Sequence, residues 1–330
     1  MRRLTAFLET PLGRAARYAV SLALITVFAW HVDWRQLAGA NGQFALRPAL
    51  LATFIAGLTF PLHAWRWQVL LRAQGITPAW RWTHAVTWIG QFYNAFLLGG
   101  LGGDAARVFY VCRDEPTRKA AGLAAIFLDR LMGLIVLLSL AALALVAKLD
   151  AVAQHAELRA LLIASVAVIV AAAALGLVLF LRSPRWLERW IGAERATIAI
   201  DILHRTGSAR HALLAALASS YVIWLLDFIS ICLLAESVGL PLPFLEVCLA
   251  MSVAYAASAL PVSVGGHGVR EGALLAMLAI FQLLPDATAE RRALLLALLA
   301  WAVTVWWNLI GGAVLLLAPP APCAQPEKIS

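Results

Sequence analysis

From Ala120 to Ala147 the chain runs through apolar residues interrupted by only two charges, Asp129 and Arg130, and from Leu294 to Ala318 the most polar residue is Asn308. Runs of about 20 such residues span the hydrocarbon of a bilayer as helices. A transmembrane barrel would instead alternate apolar and polar residues over about ten positions per strand; these segments are continuous, rich in Leu and Ala, and too long. Further apolar segments lie near Tyr18–Trp30, Ala49–Leu71, His84–Leu98, Ala160–Leu181, Ala212–Ala235, Phe244–Leu260 and Val269–Leu284. With 62% apolar and 13% charged residues, the chain lies far from the composition of a water-soluble domain. It reads as an all-α, polytopic integral membrane protein forming one membrane domain over residues 1–330.

The net charge of +8 does not point to nucleic acid, because the basic residues lie between the apolar runs. They crowd the start of the chain, Arg66–Arg81, Arg107–Lys119 and Arg182–Arg210, while Val32–Pro48, Lys148–Arg159, Glu236–Pro243 and Pro285–Arg292 hold few or none. The positive-inside rule makes the first set cytoplasmic, and both termini fall on that side. Arg2, Arg3, Arg14 and Arg17 precede a retained first helix rather than a cleaved signal, since no small-residue cleavage site follows. Cys112, Cys232, Cys248 and Cys323 show no paired spacing, so neither a disulfide framework nor a metal site is expected.

The basic loops on both sides of His84–Leu98 demand that this segment return to the side it came from. A re-entrant hairpin turning at Gly99–Gly103 satisfies that, and the same logic gives a second hairpin, Phe244–Leu284, turning at Pro261–Gly268. Non-helical backbone at this depth requires cover from protein or water. The expected order is helix, helix, hairpin, helix, repeated upside down: about six spanning helices plus two re-entrant hairpins. The halves are approximately 1–148 and 149–318, with a short tail at 319–330. Both turns carry GGxG, Gly99-Gly100-Leu101-Gly102 and Gly265-Gly266-His267-Gly268, each followed by an arginine, Arg107 and Arg270. Inverted repeats with broken helices mark secondary transporters.

Gly100-x-Gly102-x-x-Ala105 matches a dinucleotide fingerprint, but that motif has meaning only between a strand and a helix. Its mechanism survives: glycines let backbone N–H groups converge, and a helix beginning near Asp104 or Val269 favours an anion. Gly100, Gly102, Gly103, Asp104 and Arg107 in one turn, and Gly265, Gly266, His267, Gly268, Arg270 and Glu271 in the other, are the candidate substrate-binding residues. Guanidinium matches phosphate bidentately. The plainer alternatives are that Arg107 snorkels to the interface, that Asp104 and Arg107 pair along one helix face, and that His267 is only solvated. Arg66, Asp129, Arg130 and Asp227 are charges within apolar surroundings, structural or coupling. Asp129 and Arg130, as sequence neighbours, need different partners, and Asp227 suits either an arginine from a hairpin or a proton-coupling role. Gln91 and Asn94 share a face for interhelical hydrogen bonds. Trp65, Trp67, Trp80 and Trp82 read as an interfacial belt, and Pro184–Ala209 as an interfacial amphipathic stretch.

Three ordered motifs carry a resemblance: Leu98-Gly99-Gly100-Leu101-Gly102-Gly103-Asp104-Ala105-Ala106-Arg107, Asp129-Arg130-Leu131-Met132-Gly133-Leu134, and Leu260 to Gly272 with its Gly265-Gly266-His267-Gly268-Val269-Arg270-Glu271 core. Together they resemble the lysylphosphatidylglycerol synthase transmembrane-region family, the flippase-like domain, over most of the chain. The resemblance implies an inner-membrane protein that handles phospholipids, hopanoids or glycolipid intermediates. Because the chain ends at Ser330 without room for a soluble aminoacyl-transferase domain, a stand-alone member engaged in transport rather than synthesis is expected. The expectation is therefore a carrier of an anionic phospholipid or lipid-linked intermediate, not an enzyme, with no cofactor, no metal and no nucleic acid. Membrane lipids are its expected partners, and lipid-synthesis enzymes are candidates beside them. A transporter of a small soluble anion and a non-transporting accessory protein are the alternatives.

Overall fold

The computed structural model describes residues 44–96, 102–181, 193–258, 269–317 and Pro320. Eleven helices run through them: α1 (Leu46–Ala73), α2 (Trp80–Phe96), α3 (Gly102–Asp114), α4 (Lys119–Val146), α5 (Leu149–Gln154), α6 (Ala156–Leu181), α7 (Ala193–Ser208), α8 (Arg210–Ser237), α9 (Phe244–Ser258), α10 (Val269–Ile280) and α11 (Ala287–Leu317). No strand occurs among the described residues. Five of the helices, α1, α4, α6, α8 and α11, are long and apolar enough to cross a membrane. The expected first helix, near Tyr18–Trp30, lies outside the described residues. No side-chain cap holds the start of α1, α4 or α8. In hydrocarbon none is needed to favour the helix, because every unpaired backbone group costs several kcal/mol there and the helix pairs them internally.

The centre of the fold is the antiparallel pair α1–α8. At one end the Ala45 amide donates to the Ser237 carbonyl at 2.9 Å. Deeper in, Ser230 Oγ donates to the Ala52 carbonyl at 3.0 Å, and at the other end Gln74 Nε2 reaches Thr206 Oγ1 at 2.7 Å. Small residues line the contact, with Ala52, Ala216 and Ala235 fully buried. Close backbone approach of this kind is what drives helix association where hydrophobic burial supplies no force.

Around this pair the remaining helices are exchanged. The arm α2 packs beside α3 and α1, yet it also lies against α11; the arm α9 packs beside α10, yet it also lies against α4. Trp88 and Phe92 of α2 close over Gly311 and Gly312 of α11, where any side chain would collide with the Trp88 carbonyl and the Phe92 ring. Within the first pair the arms are antiparallel: Trp82 Nε1, near the start of α2, donates to Asp114 Oδ2 at the end of α3 at 2.6 Å. Both open ends of that pair therefore lie at one end of the bundle.

That end gathers the basic connections. The Arg118 guanidinium donates to the Gly75 carbonyl, and Arg113 Nη2 to the Pro320 carbonyl at 3.0 Å. The opposite end joins Lys148 to Glu246 at 2.7 Å and Arg292 Nη1 to the Gly239 carbonyl at 2.7 Å. Gly75 and Gly239 end α1 and α8 in the same way. Each has positive φ, 79° and 72°. In each case the following amide bonds back five residues, Ile76 to Leu71 and Leu240 to Ala235, both at 2.9 Å. This is the glycine-dependent Schellman termination. Gly75→Ala should cost about 1–2 kcal/mol from the left-handed backbone alone, seen as a lower thermal midpoint in detergent.

Two tryptophans depart from the interfacial belt expected of them. Trp65 and Trp80 are exposed, but Trp67 and Trp82 are buried, stacked on one another with centroids 5.7 Å apart. They belong to the core that α1, α2, α3 and α4 enclose near the basic end. The face of α1 that carries Trp67, turned toward Trp82 of α2, decides this, not proximity to a loop.

A buried ionic cluster as the candidate functional site

Arg66 and Arg107, on α1 and α3, converge on one carboxylate of α4. Arg66 Nε donates to Asp129 Oδ1 at 2.7 Å, and Arg107 Nη1 to Asp129 Oδ2 at 2.9 Å. All three side chains are buried. Arg66 Nη1 also donates to Ser220 Oγ of α8 at 2.9 Å, and its Nη2 lies 3.4 Å from His63 Nδ1 one turn earlier on α1. The Arg107 guanidinium stands over the Trp67 ring, 5.0 Å from its centroid, a cation–π contact. The smallness of Gly133, whose missing Cβ would come within 3.7 Å of Arg66 Nη1, leaves room for that guanidinium. Counting back along α1 and α3 and forward along α4 at 1.5 Å per residue, the cluster sits roughly 10–15 Å inside the basic end.

Among the described residues its charge does not balance. Two guanidinium groups face one carboxylate, so the cluster is cationic as it stands, in surroundings where an unpaired charge costs about 2.5–3.5 kcal/mol or more. Arg107 gives Asp129 a single bond through Nη1, which leaves the other edge of its guanidinium for a further acceptor. Arg66, by contrast, is committed on Nε and Nη1. It is a core residue, although it opens the basic stretch Arg66–Arg81 of the sequence.

The neighbouring pair is separate. Arg130 Nε donates to Asp104 Oδ2 at 2.7 Å, so Asp104 pairs across to α4 and not with Arg107 along its own helix. Gly102 and Gly103 open α3 and are buried. The Gly103 amide donates to Asn94 Oδ1 at 2.8 Å, and Asn94 in turn donates to Gln91 Oε1 at 3.1 Å. In this arrangement the Gly103 N–H is spent on holding the two arms together rather than turned toward an anion.

In the second half, Tyr255 of α9 donates its hydroxyl to Asp227 Oδ2 of α8 at 2.7 Å. Arg270, at the start of α10, places its guanidinium over the Tyr255 ring, 5.9 Å from the centroid, within electrostatic reach of Asp227. Trp224 leans on the same ring at 5.0 Å and donates to the Gly133 carbonyl at 2.9 Å, linking this group to the helix that carries Asp129. Gly100, Gly265, Gly266, His267 and Gly268 lie outside the described residues, as does the side chain of Glu271. His63, Ser220, Tyr255 and Trp67 are site residues that sequence reasoning did not single out. His63 had a readable signal, its one-turn spacing from Arg66; Ser220 and Tyr255 come from distant helices and had none. Among the described residues no three His, Cys, Asp or Glu side chains gather as for a metal ion.

These features define a multi-pass, all-α membrane protein with ionic groups held inside its helix bundle. The chain belongs to the lysylphosphatidylglycerol synthase TM region family, whose model matches residues 14–312. No curated protein and no solved structure matches it.

Proposed function

We propose that this protein carries a lipid with an anionic headgroup, a phospholipid or lipid-linked intermediate, across the membrane, and that the Arg66–Asp129–Arg107 cluster is where its phosphate docks. The observation that carries the reading is the excess positive charge of that buried cluster. A phosphate diester supplies the missing negative charge, and the free edge of Arg107 accepts it bidentately while Asp129 stays on Arg66. Arg270, with Asp227 and Tyr255, offers a corresponding station in the second half. Asp227 and Glu271 are the candidates to carry a proton if movement is coupled to a gradient. The role is transport, not catalysis, and its partners are membrane lipids and, at most, the enzymes that make them.

An inverted repeat supports alternating access. Leu46 and Arg210, Gly75 and Gly239, and Trp80 and Phe244 open or close equivalent elements, each pair 164 positions apart. Both Schellman carbonyls accept an arginine, Arg118 just before α4 or Arg292 in the second turn of α11. We read the two arm pairs as re-entrant hairpins entering from opposite faces, the basic end as cytoplasmic by the positive-inside rule, and the membrane as a bacterial inner membrane.

The test is reconstitution into liposomes with fluorescent phosphatidylglycerol, its outward-facing label quenched from outside, and in parallel with radiolabelled phosphate. Wild type should accelerate lipid crossing and leave phosphate behind. Arg107→Gln, which leaves a neutral Arg66–Asp129 pair, should fold normally and slow lipid crossing about tenfold or more, the effect of losing a charge-assisted contact worth about 1.5–3 kcal/mol. Phosphate uptake without lipid movement points to a carrier of small soluble anions, and wild-type vesicles no faster than protein-free ones overturn the reading.

A further inference from the structure

We propose that the Arg130–Asp104 ion pair is a lateral portal, the point at which a lipid headgroup leaves the bilayer for the interior of the bundle. This deepens the carrier reading and rests on it for the passage of the headgroup beyond the portal.

The outward face of α4 is a stripe of exposed apolar side chains, Leu123, Phe127 and Leu134, at the spacing of one helix face. Arg130 lies on that stripe, its side chain 51% exposed. It is the twelfth residue of α4, about 16 Å along the helix from the basic end, at a depth where hydrocarbon surrounds the stripe. A charged side chain on the lipid-facing surface at this level is expensive and needs a polar partner. Asp104 provides one through Oδ2, while its Oδ1 is buried with no hydrogen-bond partner among the described residues. The same two helices, α3 and α4, carry the next ionic contact inward, Arg107 to Asp129. Asp129 adjoins Arg130, and Arg107 lies one turn of α3 from Asp104. The two pairs are successive rungs, one facing lipid and one facing the core, separated by about 4.5 Å along α3.

A headgroup phosphate and the Asp104 carboxylate are alternative partners for Arg130. When phosphate takes Arg130, Asp104 is released, and the next cation the phosphate meets is Arg107. Asp104 therefore competes with the lipid, and the two members of one salt bridge have opposite effects on lipid access. A pair that only staples α3 to α4 gives effects of the same sign.

The experiment uses the full chain in vesicles of phosphatidylcholine with phosphatidylglycerol, the latter carrying a photoactivatable diazirine beside its phosphate. Labelling of the peptide around Phe127–Leu134 is read by mass spectrometry and normalised to labelling around Ile163, exposed on α6. Asp104→Asn should raise the labelling severalfold and Arg130→Gln should lower it about tenfold. The swap Asp104→Arg with Arg130→Asp keeps a staple but turns a carboxylate toward lipid, and should also lose the labelling. Thermal midpoints are taken for each variant, and the swap decides the matter if Asp104→Asn does not fold. Shifts of the same sign in both single variants, or wild-type labelling in the swap, overturn the portal. If wild type moves no lipid while labelling keeps this pattern, the carrier reading fails and the portal stands. If lipid movement depends on Arg107 while labelling ignores both portal residues, the portal alone fails.

Discussion

Asp129→Asn should destabilise the protein more than either neighbouring arginine substitution, by about 3–5 kcal/mol, seen as a large fall in thermal midpoint or as failure to accumulate in the membrane. The asymmetry follows from the count of charges. Removing Arg107 leaves one guanidinium bonded to one carboxylate. Replacing the carboxylate by a carboxamide leaves Arg66 and Arg107, both buried, facing a neutral group, and neither Ser220 nor His63 brings a negative charge to replace the one lost. Arg107→Gln in the Asp129→Asn background should recover part of the lost stability, because it removes one of two unpaired cations. A double variant no more stable than Asp129→Asn alone would show that the two groups do not interact as the geometry requires.

The second large effect is expected from Gly103→Val. A Cβ at Gly103 would come 2.5 Å from the Gly90 carbonyl oxygen and 2.6 Å from the Asn94 carboxamide. The first of these is backbone and cannot swing away. The arms must separate, which costs about 1–3 kcal/mol of overpacking, with about 0.5–1.5 kcal/mol more if the Gly103–Asn94 bond is lost. Arg107 lies one turn further along the displaced helix, so lipid crossing should fall about tenfold even in protein that folds, since small misplacements of a binding group are costly. Gly272→Ala is the matched control, a glycine with no atom within 4 Å of the added Cβ among the described residues. Its midpoint and activity should stay near wild type. Equal losses in both variants would argue against tight packing of the arms.

The spans were legible because α1, α4, α6, α8 and α11 each hold a run that only a helix in lipid accommodates. The need for separate partners at Asp129 and Arg130 was legible too, since adjacent residues leave a helix in different directions. What the sequence concealed is who those partners are. Arg66 and Asp129 are 63 positions apart and Arg66 and Ser220 are 154 apart; nothing local encodes contacts across such distances. Asp104 and Arg107, one turn apart, suggested a pair, and the structure joins each instead to α4, Asp104 to Arg130 and Arg107 to Asp129, because Asp104 is the carboxylate within reach of Arg130 on the outer face of that helix. Trp67 misled for a similar reason. Its distance from the loop is that of an interfacial residue, but the face of α1 it occupies is the one that meets α2 and α3.

The exchange of arms has a consequence for how the protein is made. The arm α2 leaves the ribosome early, yet the surface it covers, around Gly311 and Gly312, belongs to α11 and is synthesised far later. Until translation reaches α11, Trp88 has Phe60 of α1 to stack on, but the face of α2 that meets Gly311 and Gly312 stays uncovered, so the amino-terminal half waits in the bilayer unfinished. Completion waits for α11, which then clasps the first arm pair to the second half of the chain.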